Sequence, residues 1–203
     1  MFQEFRSAMS GQVVFSNHQA QLRFPGFDPR NFTRWTGKGY LVRLRNGLYT
    51  FPEYLRQEGL HLYFANRMYR PSYISLHYAL NFYGFIPEII SDITSVSTNK
   101  TTSFRNPAGH FTYQTIRPEY FAGYESRKIN SLSVLFATPE KAVIDLFYLY
   151  PMYDRADEIE HLRFDRQMLH NTIIKDRFVQ YLDKMNNRSL TSRVGIFMKM
   201  FDL

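Results

Sequence analysis

The dipeptide Asn46-Gly47 lies between two short runs, YLVRLR and LYTF, that are rich in strand-forming residues. Asn-Gly is the strongest short-range signal for a β-hairpin, because a type I′ turn needs two residues that tolerate positive φ. Alternate side chains of a strand point to opposite faces, so we expect Val42 and Leu44 on one face and Arg43 and Arg45 on the other. The sequence therefore predicts a hairpin that carries two arginines on one face.

Three short helices are expected before this hairpin. Phe2, Phe5 and Met9 recur at helical spacing, and Ser16 is a typical N-cap for a second helix. Asp28-Pro29 is typical of a third helix start, because Asp at the N-cap accepts backbone N–H groups and Pro fits the first helical position. Three helices and a hairpin within about fifty residues form a minimal winged helix-turn-helix, whose third helix enters the major groove of DNA.

The third helix has an apolar side and a basic side. At 100° per residue, Phe32 and Trp35 fall together, and the residues opposite them or at the margin are polar. Arginine recognises guanine and asparagine recognises adenine in the major groove, while exposed cations on a hairpin bind phosphates. The candidate DNA-contacting residues are Arg30, Asn31, Thr33, Arg34, Lys38, Arg43, Arg45 and Asn46.

The positive charge is concentrated in the same segment. Residues 1–52 hold seven Lys or Arg against Glu4 and Asp28, a net charge of +5, whereas the other 151 residues hold 18 basic and 16 acidic side chains, a net charge of +2. A basic segment of this kind is typical of nucleic-acid binding. A solvated surface without a partner is the alternative, and the coincidence of charge, helix face and hairpin favours DNA.

Pro52 marks the expected domain boundary, between a winged helix-turn-helix domain at residues 1–52 and a second domain at residues 53–203. The second domain begins with helical segments, continues with β-branched and aromatic runs from Asp92 to Ala137, and ends with helices. The predicted fold class is α+β: an N-terminal winged helix-turn-helix, then a larger α+β domain with a mostly antiparallel sheet and C-terminal helices.

Several other classes of protein are disfavoured. The chain has no cysteine, which excludes disulfides and thiolate metal sites. The N-terminal residues MFQEFRSAMSGQ do not resemble a signal peptide, and no segment approaches the roughly 20 apolar residues of a membrane span. There is no glycine-rich phosphate loop and no His-x-x-x-His pair. We therefore expect a soluble cytoplasmic protein with no cofactor, no bound metal and no catalytic residue.

The main alternative is a nuclease or another nucleic-acid enzyme with its site in the second domain. Glu140, Lys141 and Asp145, together with Asp92, are the residue types of a nuclease-like metal site. However, Glu140 and Lys141 are adjacent at the opening turn of a predicted helix and not spaced along a strand. Glu140 is better explained by the helix macrodipole, and Lys141 by an i,i+4 pair with Asp145. The acidic residues at 154–165 match no known metal-binding loop.

Five segments together resemble the AbiEi family of antitoxins, which belong to type IV toxin-antitoxin systems that act in abortive infection of phage-infected cells. They are WTGKGYLVRLRNGLYTF, PSYISLHYALNFYGFIPE, ITSVSTNKT, GHFTYQTI and FATPEKAVIDLFYLY, within a match that runs from about Thr33 to Tyr150. The resemblance implies a winged-helix repressor that binds inverted repeats in its own operon, with its basic helix and wing at residues 30–38 and 43–46. It also implies a second domain needed for antitoxin action.

The resemblance implies a functional partner as well: a nucleotidyltransferase-like toxin, encoded next to the antitoxin and antagonised without a stable complex between the two proteins. An inverted-repeat operator favours a homodimer on DNA, because two recognition helices would lie about one helical turn, ~34 Å, apart. A regulator without any toxin is the other possibility that this resemblance leaves open.

Overall fold

The computed structural model describes all residues from Met1 to Leu203. The N-terminal region consists of α1 (Phe2–Ala8), β1 (Phe15–Ser16), α2 (Asn17–Arg23), α3 (Arg30–Gly37), β2 (Val42–Arg45) and β3 (Leu48–Thr50). A 3₁₀ helix (Pro52–Arg56) leads to α4 (Leu60–Met68), β4 (Ser72–Ile74), α5 (Leu76–Phe82), β5 (Ile93–Ser97), β6 (Thr102–Asn106) and β7 (Gly109–Thr115). After a second 3₁₀ helix (Pro118–Tyr120) come β8 (Tyr124–Ile129), β9 (Leu132–Ala137), α6 (Pro139–Leu149), α7 (Ala156–Glu160), α8 (Arg166–Thr172), α9 (Lys175–Met185) and α10 (Arg188–Phe201). The fold is α+β, as predicted.

The helix starts follow the local sequence signals. Ser16 caps α2 with a reciprocal pair of bonds: the backbone N–H of Gln19 donates to Ser16 Oγ at 3.2 Å, and the backbone N–H of Ser16 donates to Gln19 Oε1 at 2.9 Å. This confirms the predicted cap. Helix α3 begins at Arg30, one residue later than predicted, yet the Asp28 carboxylate still accepts the N–H of Arg30 at 2.9 Å.

The predicted hairpin is confirmed as β2 and β3, which pair antiparallel around Asn46-Gly47. The strand order of the small sheet is β1-β3-β2. The predicted alternation is reflected in burial, because Leu44 is buried while Arg43 and Arg45 are both exposed. The register shifts between the two arginines: Arg43 lies opposite Tyr49 and Arg45 opposite Leu48, so a β-bulge adds a residue to β2.

The small sheet packs between two apolar clusters. Tyr49 belongs to a mainly aromatic cluster with Phe32, whose ring stacks on that of Tyr49 at 4.3 Å between centroids. Leu48, which precedes Tyr49, and Leu44 belong to a second cluster of 39 buried residues that extends through the rest of the chain. Neighbouring residues of β3 point to opposite faces, so one face packs on α1 to α3 and the other on the larger region.

The larger sheet has six strands in the order β6-β7-β5-β4-β9-β8. The pairs β6–β7, β4–β5 and β8–β9 are antiparallel, but β5–β7 and β4–β9 are parallel. The sheet is therefore mixed, whereas a mostly antiparallel sheet was predicted. Residue composition indicates strands without indicating the direction in which they pair. The two edge strands, β6 and β8, lie at opposite ends of the sheet.

Helix α6 packs at the centre of the larger region, as its apolar sequence predicts. Eight of its eleven residues are buried, including the charged residues Glu140, Lys141 and Asp145. Thr138 caps the helix by accepting the N–H of Lys141 at 3.3 Å. No helix of the chain has both the length and the apolar character needed to cross a bilayer.

Candidate nucleic-acid interface

Helix α3 buries one side and exposes the other. Phe32 and Trp35 are each 2% exposed within the aromatic cluster. Four of the predicted site residues on this helix and its C-cap are exposed: Arg30, Thr33, Arg34 and Lys38. The helix therefore presents a polar, cationic surface, because its apolar side chains are held against α1 and the small sheet.

Asn31 does not lie on that exposed surface. It is only 7% exposed, and its Nδ2 lies 3.5 Å from the Sδ of Met1. Its Oδ1 accepts a 2.6 Å hydrogen bond from the guanidinium of Arg34. The prediction that Asn31 contacts bases directly is not supported by this placement. Instead, Asn31 orients Arg34.

Arg30 is paired with the carboxylate of Asp28. The Nη2 of Arg30 lies 2.8 Å from Asp28 Oδ2, and the Arg30 side chain is 91% exposed. The side-chain hydrogen bond from Arg30 lowers the pKa of Asp28, so the carboxylate is ionised at neutral pH. Exposed ion pairs of this kind are weak and exchange readily with other charged groups. Arg30 can therefore bind a phosphate group if its ion pair with Asp28 breaks.

The hairpin residues Arg43, Arg45 and Asn46 are exposed and line a cleft of about 730 Å³. The opposite wall comes from the end of β6 and the turn after it, and includes Arg105. Three arginines and no Asp or Glu line this cleft. Its two walls are joined by Asn106, whose Nδ2 donates to the carbonyl of Leu44 at 2.8 Å.

Sequence reasoning did not include Arg105 among the candidate residues. Arg105 lies in the polar segment NKTTSFRNPAG, which indicates a turn but does not indicate which other element it contacts. Asn106 and Leu44 are 62 residues apart in the chain, so only the tertiary structure brings Arg105 beside the hairpin. The cationic surface thus extends beyond residues 1–52.

The proposed nuclease residues form a buried structural network. Lys141 Nζ donates to Asp145 Oδ1, and Asp145 Oδ2 accepts hydrogen bonds from the hydroxyls of Tyr73 at 2.9 Å and Ser75 at 2.8 Å. Lys141 is 2% exposed and Asp145 is fully buried. Burial raises the pKa of Tyr73 well above its usual value, and the Asp145 charge raises it further. The i,i+4 pair predicted from the sequence is present, and no substrate can reach it.

The other two carboxylates of the hypothetical nuclease site have separate partners. Glu140 is fully buried, where its Oε1 accepts the N–H of Ile174 at 2.9 Å and its Oε2 lies 3.6 Å from Arg177. Asp92 lies 2.8 Å from the ring nitrogen of His110. No group of three or more His, Asp or Glu side chains is placed to hold a metal ion. The nuclease-like set is therefore not assembled into a site.

No model of a known protein family matches the chain, and a search of curated proteins finds no match.

Proposed function

We propose that the chain is a DNA-binding transcriptional regulator whose first 52 residues act as a winged helix-turn-helix. The proposal is carried by one observation: the exposed side of α3 and the adjoining hairpin present cations of which only Arg30 forms an ion pair, with Asp28 at the surface. The order α1, β1, α2, α3, β2, β3 and the strand order β1-β3-β2 are those expected of a winged helix. In this proposal α3 is the recognition helix and the β2–β3 hairpin is the wing.

Arg34 is the residue best prepared to recognise a base. Its guanidinium is held by Asn31 Oδ1, which is itself buried and fixed against Met1. A guanidinium oriented in this way loses less conformational freedom when it donates two hydrogen bonds to a guanine edge. Arg30 and Lys38 lie on the same exposed helix and supply phosphate contacts or a second base contact.

The wing and the cleft beside it supply contacts that do not depend on sequence. Arg43, Arg45 and Arg105 surround a cleft that holds no carboxylate, so a phosphate backbone placed there meets only cations and neutral groups. Each neutralised phosphate releases counterions, and about six contacts give a log–log dependence of affinity on salt with a slope near −5.

We further propose that the regulator is an antitoxin of the AbiEi type that represses its own operon through inverted repeats, as a homodimer on DNA. The support is the resemblance of residues 33–150 to that family, together with the arrangement of the first 52 residues. A nucleotidyltransferase-like toxin would be its functional partner without a stable complex. If the neighbouring reading frame encodes such an enzyme, growth arrest caused by that enzyme should be relieved when this chain is co-expressed.

The DNA proposal is tested by fluorescence anisotropy with a labelled duplex from upstream of the protein's own gene. A scrambled duplex of the same length and composition is the control. We expect tighter binding to the upstream duplex, and weaker binding to both duplexes as salt rises from about 50 to 200 mM. Absence of binding to any duplex at the lower salt concentration would rule out the proposal.

A further inference from the structure

A second cationic site lies in the larger region, away from the candidate interface. It is a cavity of about 400 Å³ between the C-terminal end of α4, the segment that enters β4, and β9. The residues that matter in it are Tyr63, Asn66, Arg67, Arg70 and Ser72, which we call the Arg67–Arg70 pocket. Its volume is within the range of small-molecule sites.

The pocket contains buried polar groups that have no partner within the protein. Asn66 is 6% exposed and Ser72 is 2% exposed, yet Asn66 Nδ2, Ser72 Oγ and Arg67 Nε make no hydrogen bond. The orientation of the Asn66 amide is determined, because the backbone N–H of Leu135 donates to its Oδ1 and can only meet an oxygen. Buried polar groups without partners are rare and costly, and the three residues that carry them all line one cavity.

The charges in the pocket also lack compensation. Arg67 and Arg70 line it, and no Asp or Glu does. Burial lowers the pKa of Arg70, and the neighbouring Arg67 lowers it further. The Arg67 guanidinium lies 5.9 Å from the ring centroid of Tyr63. Arg67 is half-buried and Arg70 is exposed, and an anion bound by both arginines would offset the mutual repulsion of their charges.

The wall that carries Arg70 is held in place. The Asn99 side chain donates to the carbonyl of Arg70 at 2.8 Å, and the Ser97 hydroxyl donates to the carbonyl of Pro71 at 2.6 Å. The pocket is therefore preformed, and a ligand would not need to order a loop when it binds.

From this geometry we propose that the Arg67–Arg70 pocket binds the phosphoryl group of a nucleotide-sized ligand. Arg67 and Arg70 provide the charge, because guanidinium groups donate paired hydrogen bonds to phosphate oxygens. Asn66 Nδ2 and Ser72 Oγ donate to the remaining oxygens, and the ring of Tyr63 is the surface on which a base stacks. The proposal does not rest on DNA binding, because no residue of the pocket belongs to the candidate interface.

Isothermal titration calorimetry of the full chain, without DNA and at constant ionic strength, tests this assignment. The probes are inorganic phosphate, nucleoside monophosphates and the corresponding nucleosides. Arg70→Gln and Arg67→Gln should each weaken phosphate binding by about tenfold or more, since each removes a charge-assisted bond. Arg56→Gln, which removes an exposed arginine outside the pocket, should leave binding unchanged.

The affinities of inorganic phosphate and of a nucleoside monophosphate show which part of the ligand the pocket recognises. A nucleoside monophosphate that binds about tenfold more tightly than inorganic phosphate supports recognition of the base by Tyr63. Equal affinities for inorganic phosphate and a nucleoside monophosphate would show that the pocket recognises only the phosphoryl group. That result would contradict the nucleotide-sized ligand and support the phosphoryl site. The proposal is overturned if neither probe binds, or if Arg70→Gln binds them as well as the unaltered protein does.

Ser72→Ala separates a binding role from a structural one. The Ser72 hydroxyl has no partner in the protein, so its removal should not lower the Tm measured without phosphate. It should weaken phosphate binding and reduce the rise in Tm that phosphate causes. A variant with lowered Tm and unchanged phosphate affinity would show that the hydroxyl serves the fold and would count against the proposal.

Discussion

The first 52 residues and the rest of the chain place their charges differently. In the N-terminal region the cations of α3 and the hairpin are exposed, and the only ion pair among them, between Arg30 and Asp28, is at the surface. In the larger region Lys141, Asp145 and Glu140 are buried and paired. Exposed cations can meet a ligand with little desolvation cost, whereas a buried ion pair must stay intact for the fold. Similar residue types are therefore accessible to a ligand in one region and stabilise the fold in the other.

The largest effect should be the loss of stability that follows a change in the buried network around Lys141 and Asp145. Asp145→Asn removes the charge that compensates Lys141 while leaving an oxygen to accept from Tyr73 and Ser75. Because an uncompensated buried charge remains, we expect a loss of about 3–5 kcal/mol in the free energy of unfolding. Urea denaturation followed by circular dichroism measures it.

The double variant Lys141→Met/Asp145→Asn is the control for that loss. It removes both charges, so it should be more stable than Asp145→Asn alone. If the single variant is as stable as the unaltered protein, the network is not structural, and the contrast between the two regions is lost. If the double variant is the less stable of the two, the destabilisation comes from packing rather than from charge.

Much of the N-terminal fold was predictable because its signals are local. The Ser16 cap involves residues three apart, and the β2–β3 turn depends on Asn46-Gly47 alone. The larger sheet was less predictable, since β4 pairs in parallel with β9, a strand about 60 residues further along the chain. Strand composition carries no information on such distant pairings, and neither does it reveal the bulge between Arg43 and Arg45.

The next largest effect concerns base recognition by Arg34. Arg34→Ala should weaken binding to the specific duplex by about 1–3 kcal/mol, because a guanine edge loses its bidentate partner. Arg34→Lys keeps the charge, so it should retain the salt dependence while losing discrimination between the specific and scrambled duplexes. Anisotropy titrations with both duplexes measure this. A lysine variant that discriminates as well as the unaltered protein would show that Arg34 contacts only phosphate.

A smaller effect on DNA binding is expected from Arg105, the residue that the larger region adds to the proposed interface. Arg105→Gln should weaken binding to all duplexes equally and reduce the magnitude of the salt slope by about one unit. Lys128→Gln is the matched control, because Lys128 is exposed on β8, at the opposite edge of the same sheet. Equal effects of the two variants would mean that net charge alone matters and that DNA does not enter the cleft.

Only those features of the candidate site that depend on a single helix or strand could be predicted from the sequence. The helical period correctly separates Phe32 and Trp35 from the exposed residues of α3. It cannot show that Met1, the N-cap of α1, lies against Asn31, since this contact joins residues 30 positions apart. Arg105 was missed for the same reason. Sequence patterns indicate which side of an element is free, whereas neighbouring elements decide which residues remain accessible.

The smallest effect is expected from the exposed Arg30–Asp28 pair. Its removal tests whether this pair lowers the affinity for DNA. Asp28→Asn removes the carboxylate that is paired with Arg30 and releases the Arg30 guanidinium, while the asparagine oxygen can still accept the backbone N–H of Arg30. We expect affinity for both the specific and the scrambled duplex to rise, with a steeper salt slope. Thermal unfolding at neutral pH should change little, because the pair is exposed.

The pH dependence of stability gives a second test of that pair. Arg30 lowers the pKa of Asp28, so the pair's contribution to stability is present above the unfolded-state pKa, near 3.9, and is lost as pH falls through the lowered folded-state value. Asp28→Asn lacks this titration, and thermal unfolding of the two proteins should therefore converge in acid. The DNA-binding measurement could also contradict the expected rise in affinity. If Asp28→Asn weakens DNA binding, Asp28 holds Arg30 in its DNA-contacting conformation. The exposed pair would then be as structural as the buried one, and the distinction between the two regions would have to be abandoned.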